Sequence, residues 1–322
     1  MTYLARRLLH SVVLLLGVSV LSFVFAALAP GDFFEDMRLN PQISPQTVVA
    51  LRAQYGMDRP LPVRYTRWLS SAVRGEWGYS FAYNLPVAPL LWSRAKNTLW
   101  LTIPAALLAW LIAIPLGVLA AERRGRWIDR IAGLATSTFL IVPDLLLALA
   151  LLVLAIRTRA FPVGGMTGLD PERLGETARI SDLFHHLALP LAALVLGMLP
   201  VFFRHVRASM MEAMQAPSVQ AARGLGLRRN RILFGYALPL AANPLISLFG
   251  LSLATLLSSS LLIEVVMSWP GLGPMLLEAI LGRDLYLVIG AVMFSTLFLA
   301  AGNFLADVLL YLHDPRIRTG NA

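Results

Sequence analysis

Few residues in this sequence combine a reactive type with a useful spacing. The single lysine, Lys96, stands between Ala95 and Asn97, so the Gly-Lys-Ser/Thr cradle that grips nucleotide phosphates is missing. Histidines fall at 10, 185, 186, 205 and 313 without ligand spacing, and there is no cysteine, so neither a metal site nor a disulfide framework is expected. HExxH, GxSxG and paired carboxylates are also missing, which argues against an enzyme: no catalytic residue and no cofactor are expected. Two features remain. One is Asp144, a carboxylate inside an apolar run and directly after Pro143, whose ring frees a backbone carbonyl one turn earlier and marks a kink. The other is "VQAARGLGLRRNRILFGYALP", residues 219–239, where small residues, glycines and arginines interrupt a sequence that is otherwise oil.

The surrounding elements follow from composition. Of 322 residues, 57% are hydrophobic and only 14% charged, against roughly a quarter in soluble domains, and mean hydropathy is +0.69. Charge-poor windows long enough to cross about 30 Å of hydrocarbon lie at 8–31, 97–121, 131–156, 183–203, 232–263 and 285–306, and Asp144 is the one carboxylate within them. The first window also has the small-x-small ending of an export signal, Ala27-Leu28-Ala29. Its apolar run is too long for one, however, and Pro30 would obstruct cleavage, so an uncleaved span is expected. With six spans, the N-terminus, the 122–130 loop, the 204–231 loop and the tail carry 14 basic residues against 5 acidic ones, whereas the opposite side is nearly balanced. This asymmetry puts both termini in the cytoplasm and makes the net charge of +9 a topology and lipid signal rather than a nucleic-acid surface.

Residues 32–96 exceed a simple connector. Ser44-Pro45 starts and Gly56 stops a short helix at about 45–55. After the turn at "DRPLP", an amphipathic helix is expected at 63–73, with Val63, Trp68, Leu69 and Val73 near one face. This segment reads as a cap resting on the membrane with Trp68, Trp77 and Tyr79 at headgroup level, as a docking platform for an outside partner, or as both.

In the 219–239 stretch, Pro217 begins a short helix, which Gly224 and Gly226 end. Ala221, Ala222 and the glycines then form a surface with little side-chain bulk, suited to close approach of another backbone. The plainer alternative is a connector among headgroups with Arg228, Arg229 and Arg231 on phosphates.

Read in order, Ala221-Ala222, Gly226 after three intervening residues and Leu238-Pro239 further on resemble the cytoplasmic coupling loop of ABC-importer permeases. "LRAQYGMDRPLPVRYTRWL", "GEWGYSF", "IPLGVLAAERRGRWID", "FPVGG", "SWPGLGPMLLEAILGRDLYLV" and "HDPRIR" extend the resemblance end to end, to the dipeptide, oligopeptide and nickel importer branch. The resemblance implies an all-α membrane protein with six transmembrane helices and the type I ABC importer permease fold. Its parts would be a first transmembrane helix at 1–31, a helical extracytoplasmic segment at 32–96, a five-helix core at 97–312 with the coupling loop at about 207–238, and a cytoplasmic tail at 313–322.

The resemblance further implies a bacterial or archaeal inner-membrane protein that forms half a translocation pathway. Its partners would be a second homologous permease, two ATP-binding cassette subunits that hydrolyse ATP, and an extracytoplasmic solute-binding protein. Di- or oligopeptides would be the cargo, with nickel or another small solute as the alternative. Gln220, Ala221, Ala222, Gly224, Gly226, Arg228, Arg229, Leu238 and Pro239 would couple to the ATPase, while Asp144, Pro143, Trp269, Pro270, Gly271 and Gly273 are candidates for the pathway or a subunit interface. The sequence departs from the family pattern at Gln220, where Glu is usual, at Tyr236, where Ile is usual, and at Asp144, where a small polar residue follows the proline. A carboxylate charge at mid-bilayer costs about 2.5–3.5 kcal/mol on insertion scales, so Asp144 should face the bundle interior, a wet path or a partner. A secondary transporter, the remote alternative, would need several such groups.

Overall fold

The computed structural model describes residues 2–29, 31–38, 44–168 and 175–313; Pro30, Asn40 and the tail beyond His313 lie outside them. The described residues are mostly helical, with one hairpin of two-residue strands and connecting turns, and the chain groups into two compact units. The first comprises Met1–Arg7, Leu99–Trp269 and Ala301–Ala322, and the second Leu8–Thr98 and Pro270–Ala300, so residues 270–300 cluster with residues 8–98.

Among the described residues, five helical stretches are long and apolar enough to cross a membrane: α1 (Thr2–Leu28), α5 (Val87–Glu122), α8 (Glu176–Ala213), the run from α10 (Arg229–Ile232) through α11 (Leu238–Val266), and α13 (Leu285–His313). The third expected span differs: it is two helices, α6 (Trp127–Ile141) and α7 (Asp144–Thr158), bent by 99°. The break follows from Pro143, whose ring disfavours α geometry at the preceding residue. Val142 accordingly takes φ −81°, ψ 119°, where the sequence suggested only a kink.

In the first unit α8 packs against α6, α7 and α11. Its contacts are close because small residues face one another. Ala105, Ala106, Ala109 and Ala113 line a buried face of α5. A Cβ added to Gly117 would lie 2.7 Å from Val206, one on Gly250 2.6 Å from Ala306, and one on Gly302 2.7 Å from Leu253. Bulk enters between them at Trp110, which stacks on Phe202 with ring centroids 4.5 Å apart.

In the second unit, α3 (Pro45–Gln54) begins where Ser44 Oγ accepts the Thr47 amide at 3.1 Å, and it stops before Gly56, at φ +67°. The next helix, α4 (Leu61–Ala72), buries a different stripe from the one expected. Leu61, Tyr65, Trp68, Leu69 and Ala72 pack inward while Val63 and Val73 are exposed. Trp68 is buried within this unit: it packs on Phe23, and its Nε1 donates to the Trp77 carbonyl at 3.2 Å. The hairpin β1 (Tyr79–Ser80) and β2 (Leu85–Pro86) is held by Asp284, which is fully buried and accepts from Ser80 Oγ at 2.7 Å and the Ala82 amide at 3.0 Å. Beside it Tyr83 donates to Glu278. Burial first, then that carboxylate, pushes the Tyr83 phenol up to about 12, so it stays a donor throughout the physiological range.

The packing account predicts opposite outcomes for two glycines. Gly117→Ala forces its Cβ against Val206 and should lower stability by about 1–3 kcal/mol. Gly133→Ala meets no atom within 4 Å and should be neutral, or stabilising by up to about 1 kcal/mol through helix propensity. Thermal unfolding in detergent reads both, and equal midpoints would contradict the account.

Candidate functional site

The short helix α9 (Pro217–Gly224) carries Pro217 at its first position. It closes with the Gly226 amide on Arg223 O at 3.0 Å and the Leu227 amide on Ala222 O at 3.3 Å, with Gly226 at φ +69°. Val219 and Ala222 turn inward, into the core shared with Met210, Ile232 and Ala237. Successive helical residues point about 100° apart, so Ala221 and Ala222 do not form one flat surface. Ala221 is exposed, whereas Ala222, at 3% exposure, is an anchor. The outward surface is made by Gln220, Ala221, Gly224, Gly226 and Leu225, the last 80% exposed, with open space around both glycines. Sequence reasoning passed over Leu225; the signal was an apolar residue between two glycines in a polar turn.

The departure at Gln220 has a local explanation. Its Nε2 donates to the Met214 carbonyl at 3.1 Å, at the end of α8, where carbonyls lack helical partners. A carboxylate could not make that bond. Arg228 is exposed ahead of α10, whereas Arg229 has a partner within the protein. Its guanidinium pairs with Glu122 at the end of α5, a half-buried carboxylate, and so ties the loop to that helix. Between α10 and Leu238, residues Leu233–Ala237 form a π turn. Pro239 lacks an amide proton and its ring would crowd the carbonyl four residues earlier, and the wider turn accommodates it.

Asp144 opens α7, where a negative charge complements the helix dipole. Its Oδ2 accepts the Ser259 hydroxyl of α11 at 2.7 Å, and a Cβ on Gly197 of α8 would lie 2.6 Å from Oδ1. Three helices therefore converge on this half-buried carboxylate. In the first unit the "SWPGLG" and "FPVGG" stretches meet: the Gly165 amide donates to Met267 O at 3.0 Å, and Gly164 has no room for a Cβ against that oxygen. Ser268 takes φ +51° and Trp269 is fully buried. In the second unit the Pro270 carbonyl accepts from Asn97 Nδ2 at 2.8 Å, Thr98 Oγ1 accepts the Leu272 amide at 2.9 Å, and buried Gly271 and Gly273 lead into α12 (Leu272–Leu281).

Sequence reasoning missed the carboxylates just beyond the window ends. Asp129 accepts from Arg207 Nε at 2.5 Å and Nη2 at 2.9 Å and from the Gly125 amide at 2.9 Å. Glu264 is fully buried near the end of α11, and Asp307 pairs with Arg7 at 3.4 Å. Glu122 and Asp129 had a signal, as the acids of the arginine-rich "ERRGRWIDR" loop. Among the described residues no group of three or more His, Cys, Asp or Glu could hold a metal ion.

Residues 113–319 match the family described as binding-protein-dependent transport system inner membrane component, and residues 1–102 match the N-terminal region of such membrane components. The chain is 34% identical over 319 residues to the oligopeptide transport system permease protein AppB of Bacillus subtilis, with 98% of each chain covered. It is 32% identical over 335 residues to the dipeptide transport system permease protein DppB of Escherichia coli K12, again with 98% of each covered. Against the glutathione transport system permease protein GsiC of Escherichia coli O1:K1, identity is 30% over 320 residues and 99% of each. In fold it resembles a chain of the MetNI methionine ABC transporter in an inward-facing conformation, with TM-score 0.56 at 19% identity over 70% of this chain and 96% of that one. A bundle of apolar helices that carries its one small-residue loop between α8 and α11, matched along its whole length by permeases of this kind, is a multi-pass inner-membrane permease: the chain belongs to the binding-protein-dependent transport system inner-membrane component family.

Proposed function

We propose that this chain forms half of the translocation pathway of an ABC importer for di- or oligopeptides, beside a second homologous permease. One of two ATP-binding cassette subunits docks on the 219–239 loop from the cytoplasm, the other on the second permease, and a solute-binding protein delivers cargo from outside. The observation that carries the reading is the two-sidedness of α9. Its outer face offers Ala221, Gly224 and Leu225 to a partner groove, while Val219 and Ala222 seat in the same core as α8 and α11. A displacement of the outer face then reaches the spans through packed contacts rather than through a slack connector. The peptide assignment is supported by relatives named for oligopeptide, dipeptide and glutathione transport. ATP hydrolysis belongs to the partners, since Lys96 sits in no phosphate cradle.

Orientation follows from the one-sided basic charge. Reporter tags near Gly125 and Asn230 should read cytoplasm and a tag near Asn40 the exterior; an inverted pattern would overturn the docking side.

Coupling is tested on the exposed face, because Ala222 is buried and Gly226 holds a positive φ that a side chain would strain. Ala221→Glu and Leu225→Arg should leave permease levels unchanged and lower transport by the reconstituted complex at least tenfold, or about 1.4 kcal/mol of productive interaction. Parental transport by both variants, with the ATPase still attached, would make the loop a connector.

Asp144→Asn keeps an oxygen acceptor for Ser259 and should assemble normally, yet lose transport if the pathway uses the carboxylate charge. Parental transport by both Asp144→Asn and Asp144→Leu between pH 5 and 8 would restrict the residue to local packing.

A further inference from the structure

One polar cavity plays no part in the coupling reading. It lies in the first unit between α6 and α8, and two opposed helix faces build it: Arg130, Gly133, Leu134 and Ser137 on α6, and Val201, Arg204, His205 and Ala208 on α8. Each set has the three-, four- and seven-residue spacing of one helix face. The space is about 820 Å³. A water takes up about 30 Å³, so this is room for a headgroup rather than for a single ion. Gly133 keeps the floor open, with no heavy atom within 4 Å of a Cβ placed there.

Its charge is net positive. Arg207 is neutralised by Asp129, but among the described residues no carboxylate lies within ion-pair distance of Arg130 or Arg204. Its depth is marked by Trp127, 68% exposed at the start of α6 beside Arg124 and Arg126, the arrangement of a side chain at the membrane–water boundary. Below it, Ile131, Leu134 and Ile141 extend an exposed apolar stripe along α6. Cations toward the boundary end of a stripe of branched aliphatics complement a phosphodiester carrying acyl chains, and basic pockets between helices at the cytoplasmic surface select anionic lipids.

We propose that this α6–α8 groove is a binding site for an anionic phospholipid of the cytoplasmic leaflet, with Arg130 and Arg204 on its phosphate and Leu134 against its acyl chain. The proposal uses the orientation given above, but its test does not, because lipid binding in micelles is read independently of the reporter tags.

The complex with its partner subunits is titrated with cardiolipin, phosphatidylglycerol or phosphatidylcholine in detergent, and bound lipid is counted by native mass spectrometry. The parent should retain the two anionic lipids over phosphatidylcholine. Arg130→Gln with Arg204→Gln should weaken that retention by about thirtyfold, the loss expected for two interfacial arginines. Gly133→Phe, which fills the floor and leaves every charge in place, should also displace the lipid. Arg157→Gln, at the far end of α7, should change nothing. Equal retention by the parent and the double variant would overturn the proposal. So would loss of the partner permease from the double variant with lipid retention unchanged, which would make the groove a subunit interface.

Discussion

Within hydrocarbon a helix gains nothing by exchanging lipid contact for contact with another apolar helix, so association depends on how closely backbones can approach. That constraint governs the first unit. The alanine face of α5, Gly117 against Val206, Gly250 against Ala306 and Gly302 against Leu253 are points where a methyl group more would separate helices. Gly197 has the same economy of space, and what fills it is the carboxylate of Asp144. The polar group in the bundle is thus held at a place made available by a missing side chain, where Ser259 can also reach it.

The loop between α8 and α11 turns the same rule outward. Val219 and Ala222 extend the packed core into this loop, while Gln220 closes the end of α8 and Arg229 ties the loop to Glu122 of α5. Three separate attachments hold a helix of only eight residues. A helix that short has little stability of its own, so its rigidity is borrowed from the elements it touches.

Most of the helices were legible because their signals are local. Apolar length marks the spans, Ser44-Pro45 and Gly56 bound α3, and Pro217 with the following glycines bounds α9. What stayed hidden needed partners distant in sequence. The buried stripe of α4, Leu61, Tyr65, Trp68, Leu69 and Ala72, keeps helical spacing and packs on Phe23 and Ile289; Val63 and Val73 were misjudged because they lie out of that phase. The inward turn of Ala222 and the outward turn of Leu225 depend on the phase of one short helix. The pairing of Arg229 with Glu122 joins residues 107 positions apart, and nothing near either one in the sequence announces the other. At Pro143 the local signal was correct in kind and short in degree, since the chain breaks where a kink was expected.

The π turn at Leu233–Ala237 also bears on how this segment tolerates change in length. A π turn holds one residue more than the α turn it replaces. Deleting a residue there would leave a helix still able to run from Arg229 to Val266, tightened to ordinary α geometry. Everything on its amino-terminal side would then keep nearly its angular position, because the turn loses one residue and tightens by the same step; a deletion in the α-helical residues 229–232 would instead swing the end of α9 by about 100° about the helix axis. In that second case the chain would still span the bilayer, but the face that α9 presents to a partner would point elsewhere. The spacing between Gly226 and the π turn is in this sense an angular setting, written as a number of residues.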